Sequence, residues 1–416
     1  MIRVLTYKEI DRVEWSRLVQ TSATGTWFQT PEAYEFFASQ PELFKPFVIA
    51  ISNDASLSEA QHSINSSLQT LRAVCVGYVT VERNPIKQYF TRRAIINGGP
   101  CFADDCMDEE VVALLEAVKT KTRHLQSLNS DLHKTTHQSA CMQAFRQPED
   151  LPHIAVEQQD ASQKHAALTK NTKNIFYRYE PIYIETRNFN DYSRWKGVFE
   201  KAGFEYKRHL NFHVDCTDKE KMWERLSENR KRQVRHVNGD FKFKISFPFG
   251  TITSNLRFDN LSVTEQDVRE WYEILAELYR KRVKTPLWPV EFFLEFYRQK
   301  RGVYLLQKHN GKVIGGIMCP IFENRCIYEW YICGMDAEYK ESHPSVMATW
   351  AAMEYANMHG IARFDVMGAG EPGVPYGVRD FKAEFGGQLV EHGRFVCVRE
   401  HILYKIGTLA VKMMKS

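Results

Sequence analysis

The sequence predicts an α/β (α+β) chain folded as two similar domains in tandem, each a mixed, mostly antiparallel sheet flanked by helices. Three observations predict it. The length of 416 residues suits two domains at about 100 to 200 residues each. Helices alternate with mostly hairpin-connected strands, and the order is similar in both halves, as in an internal duplication. Each half also places glycine inside its middle strand, Gly77 in VGYVTVE and Gly315 with Gly316 in VIGGIMCP. A glycine there marks a bulge or a close backbone approach.

The first domain is read over residues 1–215. Helical patterns over 7–20 and 31–38 lead into strands PFVIAI, AVCVGYVTVE and RRAIIN, then a helix from Asp108. Strand PIYIET, a helix from Asp191 to Ala202 and one strand, YKRHLNFHVD, complete it. Two polar insertions interrupt this order, one near 53–69 and one over 121–174. The second has a single aromatic, Phe145, beside seven Gln and five His, too little apolar surface for a core. Its only metal-like spacing, His133 with His137, reads more simply as solvated histidine, so no metal site is expected.

The second domain is read over 216–416. Helices near 219–236 and 265–300 precede strands VYLLQKH, KVIGGIMCPIF and CIYEWYICG. A helix from Ser345, strand RFDVMG, a short helix near Arg379 and strand QLVEHGRFVCV follow.

A net charge of +4 is too weak for wholesale coating of nucleic acid, so duplex DNA is not expected as a partner. Nine cysteines without a C-x-x-C pair fit a reducing compartment. The N-terminal residues lack a signal-peptide pattern and no run of 18 apolar residues occurs, so a cytoplasmic location, at most against the inner membrane face, is expected. Walker, G-x-S-x-G and H-E-x-x-H motifs are absent.

Residue types suited to chemistry are densest from Cys326 to Arg394. In a regular strand over 326–333, Glu329 shares a face with Ile327, Tyr331 and Cys333. A carboxylate among aromatic neighbours suits a general base, or equally a charge paired at an interface. The loop GAGEPGVPYG over 368–377, with Gly368, Gly370 and Tyr376, has glycines that admit a ligand close to backbone and prolines that shape it. In the helical turn that follows, Arg379 and Lys382 share a face, placed to clamp phosphates or polarise a carbonyl, unless Asp380 and Glu384 simply neutralise them. Two basic clusters, Arg225 to Arg235 and Arg280 to Lys284, suit a polyphosphate or RNA backbone, or are solvated helix faces. At the C-terminus, Ile402, Ile406, Leu409 and Met413 form a stripe beside Lys405 and Lys412, for packing on the second domain or for peripheral membrane contact.

The segments GTWFQTPEAYEFF, IYEWYICGMD, HPSVMATWAAMEYANMHG, FDVMGAGEP and YGVRDFKAEFGG resemble the FemAB-type transferases, relatives of the GNAT acyltransferases. The resemblance implies tandem GNAT-like domains and transfer of an amino acid from aminoacyl-tRNA to an amine on a peptidoglycan precursor. It implies that Lys382, in DFKAEF, stabilises the reacting acyl group, and that Arg282 binds precursor phosphates.

The resulting expectation is an acyl or aminoacyl transferase that forms an amide bond on a peptidoglycan or cell-envelope precursor. Lys382 is the expected oxyanion stabiliser, with Glu329 or Asp365 as base; Arg379, Tyr331, Gly368, Gly370, Tyr376 and Arg282 are the expected substrate-binding residues. No cofactor is expected, the donor being aminoacyl-tRNA or acyl-CoA. The alternatives are a CoA-dependent N-acetyl- or acyltransferase acting on a sugar or lipid amine, and a non-catalytic binding module on the same fold. The GNAT pyrophosphate signature is missing, since YKESHPSV precedes the helix from Ser345, so acetyl-CoA is expected to bind weakly.

Overall fold

The structure is a computed structural model that describes residues 2–53, 70–82, 84–123, 125, 180–240, 244–246 and 263–415. Apart from their edges, the insertions expected at 53–69 and 121–174, with His133 and His137, lie outside the described residues.

The first unit runs through β1 (Ile2–Thr6), α1 (Arg12–Thr21), α2 (Pro31–Ala38), β2 (Phe44–Asn53), β3 (Leu71–Thr80), α3 (Pro85–Thr91), β4 (Ala94–Gly98), β5 (Cys101–Phe102), α4 (Asp108–Arg123), β6 (Tyr183–Asn188), α5 (Lys196–Lys201) and β7 (Glu205–Lys207). Local chemistry sets the helix starts. Asp11 accepts from the Glu14 N–H ahead of α1, and Thr30 caps α2, whose first residue, Pro31, has no N–H to satisfy.

The second unit runs through β8 (Leu210–Asp215), α6 (Lys219–Glu224), α7 (Glu228–Asp240), β9 (Lys244–Ser246), α8 (Glu265–Leu278), α9 (Val290–Arg298), β10 (Gly302–His309), β11 (Lys312–Phe322), β12 (Cys326–Tyr328), β13 (Tyr331–Gly334), α10 (Pro344–Met358), β14 (Arg363–Asp365), α11 (Gly377–Ala383) and β15 (Gln388–Glu391). Strand β16 (Arg394–Val398) and helix α12 (His401–Lys415) follow. The single helix expected over 265–300 is two, because Pro286 and Pro289 remove N–H donors between α8 and α9.

The first sheet has the order β1-β2-β3-β4-β6-β16-β7, with β5 on β3; the second has β15-β8-β14-β12-β11-β10-β9, with β13 on β11. Each is antiparallel except for one parallel pair, β4 with β6 and β12 with β14. Strand β8, read from the sequence as the end of the first domain, therefore pairs in the second sheet, and β16 pairs in the first. YKRHLNFHVD and QLVEHGRFVCV, each expected as one strand, are each two strands in different sheets. Between them the register is unbroken, from Gln388 opposite His213 and Glu391 opposite Leu210 to Arg394 opposite Lys207 and Val396 opposite Glu205. One antiparallel ribbon thus crosses from sheet to sheet, and its midpoint is fixed by the Arg208–Glu391 ion pair and the Gly393 N–H on the His209 carbonyl.

The units also share a core. Trp330 sits between Trp27, Phe28 and Phe36 of the first unit and Phe292 of the second, with ring centroids 5.8, 5.2, 6.2 and 5.4 Å away. Edge-to-face packing of this kind, with aromatic burial, locks the two units against each other.

Candidate active site

The site is built where β12 and β14 part. They run parallel up to Tyr328 opposite Asp365, and the Glu329 N–H still reaches the Asp365 carbonyl at 2.9 Å. Beyond that, β13 pairs, among the described strands, with β11 alone. Ile321 faces Ile327 and Met318 faces Tyr331, so three residues, 328–330, stand opposite two, Cys319 and Pro320. This one-residue bulge reverses the alternation, and it corrects the sequence reading. Tyr331 and Cys333 join Tyr328 and Trp330 in the core shared by the units, while Ile332 lies with Ile327 against α10. Glu329 is not on a face with Tyr331, because the extra residue shifts a period of two by one step.

Glu329 is 5% exposed. Its Oε1 lies 3.2 Å from Lys382 Nζ, and its Oε2 is buried without a hydrogen-bond partner among the described residues. Burial raises its pKa, and Lys382 only partly offsets that rise. Lys382, buried on α11, donates to the carbonyls of Val366 and Met367 and, at 3.2 Å, of Gly368. Its three hydrogens thus face four acceptors. Arg379 grips the same loop further on, through the carbonyls of Ala369 at 2.7 Å and Glu371. The two cations expected to face a ligand therefore shape the Gly-rich loop from beneath.

Asp365 is fully buried. Its Oδ1 accepts from Asn211 Nδ2 at 2.7 Å and from the Met367 N–H at 2.9 Å, and its Oδ2 lies 3.2 Å from His213 Nε2. Burial pushes its pKa up, but His213, Arg363 and Asn211 outweigh it and hold the group below the usual carboxylate range. Its basicity is thus lowered, and through Oδ1 and the Met367 N–H it anchors the start of the loop.

Tyr376 packs on Gly370, where a Cβ would approach its ring to 2.9 Å, and Gly370 and Gly368 both have positive φ. Tyr331 lies 6.3 Å from Tyr279, in the turn Tyr279–Val283 that also carries the exposed Arg282. Burial raises the phenols of Tyr331 and Tyr376, and that of Tyr279 to about 12, which keeps all three neutral. The structure thus brings Glu329, Lys382, Arg379, Gly368, Gly370, Tyr376 and Tyr331 to one place, with Asp365 behind, while Arg282 is exposed on the turn that carries Tyr279.

Of the other basic residues, Arg230 is buried 3.1 Å from Glu384 and over the Phe381 ring, Lys231 pairs with Glu228, and Arg280 and Lys281 pair with Glu277. At the start of α10, the Ser345 N–H donates to Asp336 Oδ1 at 3.1 Å and the Ser345 hydroxyl to Oδ2. A carboxylate of the chain itself therefore occupies the helix N-terminus that an incoming pyrophosphate would need.

Residues 253–382 match the family model described as Acetyltransferase (GNAT) domain. The crystal structure of FemX is similar over 97% of this chain and 99% of FemX, with a TM-score of 0.57 at 11% identity. The fold is like that of FemX, and the matched GNAT domain lies in the second unit. L-PGS from Bacillus licheniformis gives a TM-score of 0.42 at 11% identity, over 81% of this chain and 86% of that one. The C-terminal domain of a putative lysylphosphatidylglycerol synthetase from Agrobacterium fabrum gives 0.45 at 9%, over 96% of both. No curated protein matches. The bulge at 328–330 lies within the matched GNAT domain, and its Trp330 meets Trp27 and Phe28 of the first unit.

Proposed function

We propose that this protein is an acyl or aminoacyl transferase that forms an amide bond on an amine acceptor in peptidoglycan or cell-envelope precursor assembly. The GNAT acyltransferase fold supports the reaction class, and the Glu329 carboxyl carries the assignment. It is a buried, weakly acidic group with one free oxygen, set where two strands part beside a glycine loop.

In this reading an activated ester lies along the 368–377 loop and the amine approaches Glu329 Oε2. The nitrogen attacks the ester carbonyl and a C–N bond forms. Glu329 takes the amine proton, and the C–O bond breaks as the same proton passes to the leaving oxygen. Lys382 meets the tetrahedral oxyanion by giving up its contact with the Gly368 carbonyl. Aminoacyl-tRNA is the favoured donor, because Asp336 sets a negative charge where a CoA pyrophosphate would bind.

Single-turnover transfer from aminoacyl-tRNA to an amine-bearing peptidoglycan precursor tests the reading. Transfer by the wild type and its loss in Glu329→Gln are expected. Equal transfer in that variant removes Glu329 from the mechanism, and transfer from acyl-CoA alone replaces the aminoacyl reading with a CoA-dependent one.

A further inference from the structure

On the face of the first sheet turned to the second unit, side chains from four strands lie in register. Asn97 is opposite Arg187, Arg187 opposite Arg394, and Arg394 opposite Lys207. The neighbouring row reads Ile95, Glu185, Val396 and Glu205. Arg93, two residues before Ile95, falls on the same face.

Like charges directly opposite on adjacent strands destabilise a sheet. Here two guanidiniums face each other with side chains only 32% and 30% exposed. Among the described residues one buried carboxylate answers them, Glu185, which lies 2.6 Å from Arg394 and 3.4 Å from Arg187. Glu205 is taken by Lys207. The Arg187 Nε is buried with no hydrogen-bond partner among the described residues. His209 adds no negative charge. Its Nε2 is 3.0 Å from an Arg394 nitrogen, and since arginine only donates, that atom is the bare acceptor of a neutral ring. Three arginines against one carboxylate leave two positive charges in excess.

The row adjoins the candidate active site. His209 Nε2 would lie 3.7 Å from a Cβ at Gly368, Arg394 acts electrostatically on Tyr376, and Arg187 on Tyr331. We propose that this face is a binding site for the phosphate or diphosphate group of a substrate, gripped by Arg187 and Arg394 with Arg93 at its rim. An excess of two positive charges suits a dianionic group better than a lone phosphodiester. That the group belongs to the amine acceptor rests on the transfer reading above; the site itself does not.

Isothermal titration and thermal melting with inorganic pyrophosphate, and separately with a short RNA lacking terminal phosphates, test it without any transfer. Wild type should bind pyrophosphate and melt higher with it, and Arg187→Met, Arg394→Met and Arg93→Gln should each weaken binding roughly tenfold or more. Ligand-free Arg187→Met should melt no lower than wild type, because the opposed charge is gone. Absence of pyrophosphate binding, tighter binding of the RNA, or undiminished binding in Arg187→Met and Arg93→Gln each overturns the site. Pyrophosphate binding without transfer from any donor leaves the site standing and sinks the transfer reading alone.

Discussion

At Glu329 the cost of burying a carboxylate is offset on one oxygen only, and this fixes how the site answers pH. Because its pKa lies above the ordinary carboxylate range, the base form is lost on acidification earlier than for an exposed Glu. The acid limb of kcat/KM should therefore lie above the usual glutamate range; a limb at the ordinary glutamate pKa would argue for another base. Lys382→Met removes the donor to three carbonyls and leaves Glu329 buried without its cation, a change that is costly when one partner of a buried pair goes. We expect kcat to fall by roughly 10²-fold or more with acceptor affinity little changed, and the melting temperature to drop by several degrees. Unchanged kcat in a folded variant would exclude Lys382 from the chemistry. The sequence disclosed these residue types and their clustering around the glycine loop. It did not disclose that Arg379 and Lys382 point into the loop, since carbonyls as partners leave no side-chain signature.

Among the elements, the bulged strand shows best what periodicity cannot report. Alternation over CIYEWYIC is equally regular with or without an extra residue, and only the pairing to β11 reveals the change of face. At the start of α10 the missing glycines and Pro344 lead the sequence reading to expect weak pyrophosphate binding, and Asp336 adds a charge that reading had not placed. Acetyl-CoA should bind with a dissociation constant of about 1 mM or weaker, and micromolar binding by calorimetry, competed by CoA, would refute this. Helix α12 leaves Ile402, Ile406 and Leu409 exposed, and its Tyr404 packs on Tyr183 of the first sheet rather than on the second domain. The helix has no acidic residue. If this face meets anionic lipid, the full chain should float with anionic liposomes and a chain ending at Arg399 should not; equal flotation of the two would exclude the helix as the anchor.

For the whole molecule, the duplicated order of helices and strands and the resemblance together made the tandem fold readable. The exchange of β8 and β16 was not, since YKRHLNFHVD and QLVEHGRFVCV look like ordinary uninterrupted strands. The arginine row was hidden for a related reason. Arg187 and Arg394 stand on separate strands and Arg93 just ahead of a third, and only the assembled register brings them together. Cutting the chain at 215/216 should accordingly leave neither part natively folded. The first part loses β16, leaving β7 unpaired and β6 with an open edge, and the second loses β8, which holds β15 and β14. The parts made separately should lack near-ultraviolet dichroism and aggregate, and those made together should recover both; an independently folded first part would contradict this.

The ribbon that passes between the sheets also bears on synthesis. Domains of a nascent chain usually fold in the order in which they emerge. Here translation reaches β16 only after every other described strand has been made, so the ribosome releases the second domain's segments while the first sheet still lacks an inner strand. A premature stop ahead of Arg394 would therefore leave every described strand of the second sheet made and still spoil the first domain, although that domain is translated first. Chaperones would meet a long-lived open edge beside β6 on every chain until Arg394–Val398 has been made.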